Sequence, residues 1–233
     1  EVFADAGQWM DSQTFTLLQE MKEGGIEHAW IGLNSWEQAY GKPELVETAV
    51  SQDYLIASYD SYHSIHEPGR EQWITAQFDD PALYENAVIT DQNGKPESGF
   101  QNVGRKLNPA LSLPAVKNRM EGIMSSQLPF NSWFIDCDAT GEIYDDYTPS
   151  HITTQEEDLS ARLERMSYIR DQYHLVIGSE GGNDFAASDI AYAHGIELKT
   201  FAWMDEDMKK NQDSDYYIGK YYNPNGGVAE HFS

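Results

Sequence analysis

The stretch Asn131-Ser132-Trp133-Phe134-Ile135-Asp136-Cys137-Asp138-Ala139-Thr140-Gly141-Glu142 decides the fold. It opens apolar and β-prone and closes in acid. Trp133, Phe134 and Ile135 suit a buried strand, because aromatic and β-branched side chains fit a pleated surface. Residues i and i+2 of a strand face the same side. Asp136 and Asp138 are therefore expected to point together, at or just past the strand's C-terminal end. A carboxylate there is costly unless it is paired or used. In barrels of alternating strands and helices, that end carries the chemistry.

His174-Leu175-Val176-Ile177-Gly178-Ser179-Glu180-Gly181-Gly182 has the same grammar: an apolar strand, one carboxylate, glycines behind it. One helical pattern separates the two strands, which predicts neighbours in a parallel sheet. Asp136 and Glu180 are then expected to face one cleft.

Upstream, Glu1 to Asp5 reads as the tail of a strand. Asp11 or Ser12 can cap a helix to about Lys22, with Phe15, Leu18 and Met21 on one face and Gly24-Gly25 behind it. His28 to Asn34 and Tyr54 to Asp60 read as strands, with a helix opened by Pro43 between them. The second strand runs into the polar group Asp60, Tyr62, His63 and His66, of which Asp60, Tyr62 and His63 are expected to bind substrate. Residues 67–113 break the rhythm and read as an insertion at a strand end, with a hairpin over Glu85 to Thr90, an Asn93-Gly94 turn and Lys95. Pro114 is expected to open the helix that leads into the Asp136 strand. Downstream, Thr154 and Glu157 form a capping-box pattern, followed by the stripe Leu159, Leu163, Met166 and Ile169. Asp184 to Ala193 reads as a short helix and Glu197 to Trp203 as a strand.

Alternating strands and helices argue for a parallel α/β sheet. About six strands are legible where a closed (β/α)₈ TIM barrel has eight. The expectation is one barrel-type catalytic domain over 1–233, either incomplete or a segment of a larger multidomain enzyme. A doubly wound sheet is the alternative, although no glycine-rich nucleotide loop follows any strand.

The 233 residues carry a formal charge of −24. Such a surface repels phosphate and argues against nucleic acid and anionic membrane as partners; a neutral oligosaccharide is compatible with it. No apolar run reaches the roughly 18–20 residues of a membrane helix. No secretory leader is recognisable, and a start at Glu1 reads as a mature or excised segment. The sole cysteine, Cys137, excludes an internal disulfide. It also excludes a cysteine-built zinc site. Two flanking aspartates disfavour a thiolate there, so a small buried filler is the expected role. An acidic surface without disulfides fits a bacterial enzyme, extracellular or cell-associated.

Two carboxylates with opposed environments are what glycoside hydrolysis needs, one ionised and one protonated. Asp136 and Glu180 are that pair, with Asp138 as the other candidate nucleophile or as a group that orients Asp136 or holds sugar hydroxyls. Trp36 and Trp203, at strand ends, suit the apolar faces of sugars; Trp30 and Trp133 read as core. Asp136-x-Asp138-x-Thr140-Gly141 mimics the start of a calcium loop, but Tyr147 stands where a bidentate Glu is needed. A looser calcium site would use Glu142, Asp145 or Asp146; otherwise no cofactor is expected. His63 and His66 with an Asp would be the donors of a metal-dependent hydrolase. A non-catalytic saccharide-binding domain is a further alternative.

Trp133 to Gly141, then Ser179-Glu180-Gly181-Gly182, then Asp184-Phe185-Ala186-Ala187-Ser188-Asp189 and His194, resemble the catalytic region of the α-N-acetylgalactosaminidase group of glycoside hydrolases. That group comprises the endo-α-N-acetylgalactosaminidases and their exo-acting relatives from gut bacteria. The resemblance covers roughly 60 residues. It implies a (β/α)₈ barrel within a larger enzyme, retention of anomeric configuration, Asp136 as nucleophile and Glu180 as acid/base. It also implies a galactose-type substrate, with Asp184 and His194 near it. Cys137-Asp138 departs from the apolar and aromatic residues expected there in the endo-acting members.

Overall fold

A computed structural model describes residues 12–194 and 211–213. The chain divides into a unit Glu1–Ile196 and a second unit Glu197–Ser233. The first unit holds the sheet, its helices and both strand-end acids. The strands expected at Glu1 to Asp5 and Glu197 to Trp203, and Trp203 itself, lie outside the described residues.

Helix α1 (Ser12–Glu23) leads to strand β1 (Trp30–Leu33), then to the short α2 (Glu37–Tyr40), α3 (Pro43–Ser51) and β2 (Leu55–Ser61). The insertion holds β3 (Ser64–Ile65), α4 (Leu83–Asn86) and β4 (Arg105–Lys106). Then come α5 (Pro109–Met124), β5 (Ser132–Asp136), α6 (Gln155–Tyr173), β6 (Val176–Glu180) and β7 (Tyr192–His194).

The main sheet has five strands in the order β1-β2-β5-β6-β7, all parallel. Each new strand is added at the same edge, so the winding never reverses as it does in a doubly wound sheet. Right-handed crossovers of such a sheet must all lie on one face. They do: Leu18, Met21, Leu45, Val46, Ala49, Val116, Met120, Ile123, Met166 and Ile169 from the helices share one core with Ile31, Leu33, Ile56, Trp133, Ile135 and Ile177 from the strands. The opposite face carries Trp30, Tyr59, Phe134 and Tyr192. A flat sheet would hold β1 and β7 about 19 Å apart, at about 4.8 Å per strand. Yet the Trp30 and Tyr192 ring centroids are 5.1 Å apart. The sheet is therefore curled, a half-barrel whose concave face is lined by aromatic rings. Gly178 makes room there, because a Cβ at that position would fall inside the Tyr192 ring.

Four local expectations are corrected. Asn108 caps α5 by accepting from the Ala110 N–H, and Pro109 takes the first helical position, so the helix begins before Pro114, which sits inside it. The turn at Asn93-Gly94 forms, with the Asp91 carboxylate accepting from the Asn93 and Lys95 N–H groups. Its first arm is shorter than expected, because residues 83–86 are the helix α4 and only isolated bridges such as Thr90–Pro96 follow. Residues 184–193 form a 3₁₀ turn and then β7, whose pairing with β6 outweighs helical propensity. The capping box on α6 forms as expected. The buried face of that helix, however, is Asp158, Arg162, Arg165, Met166 and Ile169, with Leu159 and Leu163 only partly covered.

Candidate active site

Strand register places the acids. Ser61 pairs with Asp136, Ile135 with Ser179, and Glu180 with His194. Ser61, Asp136, Glu180 and His194 thus form one row across four strand ends, one layer above Tyr59, Phe134, Gly178 and Tyr192. Asp136 and Glu180 open into a cleft of about 730 Å³, within the range of small-molecule sites. A carboxylate oxygen of each lies within 4.8 Å of the other. The Tyr59 hydroxyl donates to Asp136 Oδ2 at 2.8 Å. Burial and the Asp136 charge push the Tyr59 phenol far up, so it stays a donor. A hydrogen bond to a charged group is worth about 1.5–3 kcal/mol. Tyr59→Phe is therefore expected to lower kcat by roughly 10–100-fold with KM little changed, as read by steady-state kinetics. Unchanged kinetics would mean that this bond does not hold the reacting oxygen.

The chain turns sharply at Cys137, whose φ is +65°. That turn breaks the i, i+2 alternation. Asp136 faces the cleft and Asp138 is thrown behind the sheet, where it is 1% exposed. There Arg165 Nε donates to Asp138 Oδ2 at 2.9 Å, Arg165 Nη2 donates to Oδ1, and Arg162 approaches Oδ1 at 3.5 Å. Arg162 is also bound by Asp158. The expected common orientation of Asp136 and Asp138 is thus corrected. Asp138 anchors the loop behind Asp136 to α6 and has no surface in the cleft. Gly181, at φ +86°, closes the same loop: a Cβ there would stand 2.6 Å from Thr140 Cα.

Three other sequence-selected residues also belong behind the sheet. Tyr59 and Ser61 face the cleft, so Asp60 and Tyr62 face the helices. Asp60 is fully buried and accepts from Arg119 Nη1 at 2.8 Å. The Arg119 guanidinium also packs over Tyr62, Trp36 and Phe78. Asp60 and Tyr62, through a one-residue parity along β2, and Trp36, at the N-cap of α2, therefore surround an arginine pillar instead of the cleft. Asp184 is exposed at the start of the 3₁₀ turn, outside the cleft lining. His194 stands beside Glu180 in register, its ring edge-on to Phe134 at 6.0 Å.

His63 does line the cleft. Arg162 Nη1 approaches its Nδ1 at 3.3 Å, and its Nε2 lies 2.6 Å from Lys106 Nζ and 3.0 Å from Glu142 Oε2. Lys106 Nζ lies 3.3 Å from the same oxygen. The His63 hydrogen bond, with Tyr144 and Lys106, holds the Glu142 carboxyl well below its usual range. The far wall is aromatic: Trp73 and Phe100 have centroids 6.0 Å apart, and Phe100 is 64% exposed. Sequence reading missed Tyr59, Trp73, Phe100 and Lys106. Parity counted back from a strand end could have found Tyr59.

The residues considered as metal donors are dispersed. His66 Nδ1 accepts from the Gln72 N–H, and its ring packs on Trp73. Asp145 receives the Gln155 N–H. Asp146 is enclosed by Thr90, Thr148, Asn108 and His151. Among the described residues, the acidic groups that converge are Asp136 and Glu180, with Cys137.

Burial lowers the pKa of both His63 and His66 below the ordinary value of 6.5. A depressed folded pKa means that the unfolded chain binds the proton first. Stability is then full above about 6.5 and falls as pH drops through the lower folded values. Glu142 acts in the same direction below the ordinary carboxylate range. The melting temperature is expected to fall from neutral pH downward in two stages, near 6 and below about 4.5. A melting temperature that rises on acidification would contradict these environments.

A singly wound parallel half-barrel with two carboxylates at adjacent strand ends is compatible with the two-carboxylate chemistry of glycoside hydrolysis. A model of glycosyl hydrolases related to the GH101 family, GH129, matches residues 20–232, and the chain belongs to that family. No curated protein matches it. Among solved structures, the α-N-acetylgalactosaminidase NagBb from Bifidobacterium bifidum, in its GalNAc complex, is similar with a TM-score of 0.65 at 17% identity. That match covers 85% of this chain and 35% of the other. A cycloalternan-degrading enzyme from Trueperella pyogenes, solved with cycloalternan, gives a TM-score of 0.54 at 11% identity, covering 81% and 31%. At these identities the likeness is one of fold. The chain spans about a third of the length of these solved structures. No helix among the described residues is long and apolar enough to cross a membrane.

Proposed function

We propose that this chain carries the catalytic centre of a retaining glycoside hydrolase that cleaves an α-linked, galactose-type glycosidic bond, with N-acetylgalactosaminides as the first substrates to test. The observation that carries the reading is that Asp136 and Glu180 share one cleft, with one oxygen of each carboxyl group within 4.8 Å of the other, which supports the closer of two arrangements. Retaining enzymes place their carboxyl groups about 5–5.5 Å apart, whereas inverting enzymes need about 6.5–9.5 Å to admit a water. Asp136 attacks the anomeric carbon while Glu180 gives its proton to the leaving oxygen. Glu180 then takes a proton from water, which displaces Asp136 and releases the sugar with its configuration kept. Tyr59 fixes the attacking carboxylate. Trp73 and Phe100 offer a stacking surface, and His63, Lys106, Glu142 and His194 offer polar contacts.

Family membership and the likeness to an α-N-acetylgalactosaminidase support the sugar class. A (β/α)₈ barrel is the parent architecture of this reading, and the five parallel strands are the part of it that the described residues form. Hydrolysis of an aryl α-N-acetylgalactosaminide, lost in Asp136→Ala and Glu180→Ala, is the test. Full turnover in both variants would remove the assignment.

A further inference from the structure

The aromatic far wall of the cleft leans on a residue that does not itself line the cleft. We propose that His66 is the positioning residue of that wall: its neutral imidazole fixes the loop 66–76 so that Trp73 faces the cleft, and protonation of the ring releases the loop.

The loop is closed around the ring. The His66 N–H donates to Ala76 O at 3.0 Å, which ties the two ends together. Inside, His66 Nδ1 accepts from the Gln72 N–H at 3.0 Å, and the ring packs on Trp73 with centroids 4.7 Å apart. Gln72 to Ala76, all in this loop, line the cleft. The same ring also supports the other half of the wall. Gly104, at φ +66°, closes the loop that carries Phe100, and a Cβ there would stand 2.6 Å from His66 Cδ2. The Phe100 N–H is held by Ser64 Oγ. One imidazole therefore backs both Trp73 and the Phe100 loop.

The bond to Gln72 sets the protonation state. A neutral imidazole accepts at one nitrogen and donates at the other, so Nδ1 is bare and Nε2 carries the hydrogen. Nε2 is buried and has no hydrogen-bond partner among the described residues. Such a group is uncommon in folded chains and costs stability, so the ring is kept there against a penalty. A second proton has to go to Nδ1, where it would confront the Gln72 N–H and remove its acceptor. Glu71 favours that proton, but burial opposes it more strongly and keeps the ring neutral at pH 7. The other charges nearby are engaged elsewhere. Glu67 pairs with Arg70, Arg105 with Glu85, and Lys106 with Glu142. Arg119 donates to the Thr75 and Gln77 carbonyls. The positioning stands on this geometry, while its kinetic effect rests on the hydrolase reading. A wall remote from the reacting atoms contributes uniform binding, so its loss raises KM and spares kcat.

Nitrogen NMR of the full chain reads the ring directly. Near neutral pH, Nε2 should be protonated, Nδ1 bare, and the Gln72 amide slow to exchange with solvent. On acidification the ring should titrate below its ordinary value, and the Gln72 amide should lose its protection in step. A neutral ring protonated at Nδ1, or Gln72 protection that ignores the His66 titration, overturns the proposal. His66→Leu fills space but accepts nothing. It should raise KM for an aryl α-N-acetylgalactosaminide about tenfold, with kcat within about twofold. His66→Asn places a carbonyl oxygen where Nδ1 stands. It should recover most of that loss and abolish the extra rise of KM that the wild type shows at low pH. Circular dichroism checks the fold of both variants, and the NMR reading stands even where His66→Leu fails to fold. An active hydrolase whose folded His66→Leu variant keeps the wild-type KM would lose this inference alone. A ring and loop that titrate together in a protein without glycosidase activity would keep the positioning and lose the proposed function.

Discussion

Asp136→Ala is expected to lower turnover of an aryl α-N-acetylgalactosaminide by on the order of 10⁴-fold or more, since the covalent step then has no nucleophile. Glu180→Ala is expected to cost about 10²–10⁴-fold, the contribution of a well-placed acid/base, and most with leaving groups that need protonation. Rates on a series of aryl leaving groups separate the two roles. The Glu180 variant should improve steeply as the leaving group becomes more acidic; the Asp136 variant should stay uniformly poor. The reverse pattern would exchange the roles of the two residues. Both side chains are partly exposed at strand ends, so melting temperatures should change little and the losses should be losses of chemistry.

Asp138→Asn should show the opposite profile. Asp138 is the shared acceptor of Arg162 and Arg165, each 1% exposed. Removing one partner of a buried ion pair leaves charge unpaired and costs about 3–5 kcal/mol. Asp158 offsets part of this for Arg162, but Arg165 keeps the Ser112 hydroxyl and the Tyr62 ring, with no carboxylate among them. Denaturant unfolding should therefore show a loss of about 3–5 kcal/mol, with lowered activity following from a loosened Asp136 loop. A variant of unchanged stability and lost activity would return Asp138 to the substrate. This arrangement also accounts for the Cys137-Asp138 departure: the positive φ at Cys137 turns Asp138 to the back of the sheet, where it anchors the loop.

The sequence made the apolar strands and their terminal acids legible, because burial on both faces of a parallel strand leaves an unbroken apolar run. Asp136 and Glu180 share one cleft for that reason. What stayed hidden depends on parity and on distant partners. Alternation along β2 separates Tyr59, in the cleft, from Asp60 and Tyr62, on Arg119, and only parity counted back from the strand end marks which set faces inward. The one positive-φ residue at Cys137 inverts the direction of Asp138. Arg162 and Arg165 look like a solvated helix face until the carboxylates beneath them are placed. Trp73, Phe100 and Lys106 come from an insertion with no periodic pattern, so only the folded chain brings them to the cleft wall.

The spacing of Asp136 and Glu180 makes its most direct claim through stereochemistry. Proton NMR of the first sugar released from an aryl α-N-acetylgalactosaminide, recorded before mutarotation, reads it. The α-anomer as first product is the expected result; the β-anomer would mean that water attacks directly and would contradict the mechanism built on these two acids.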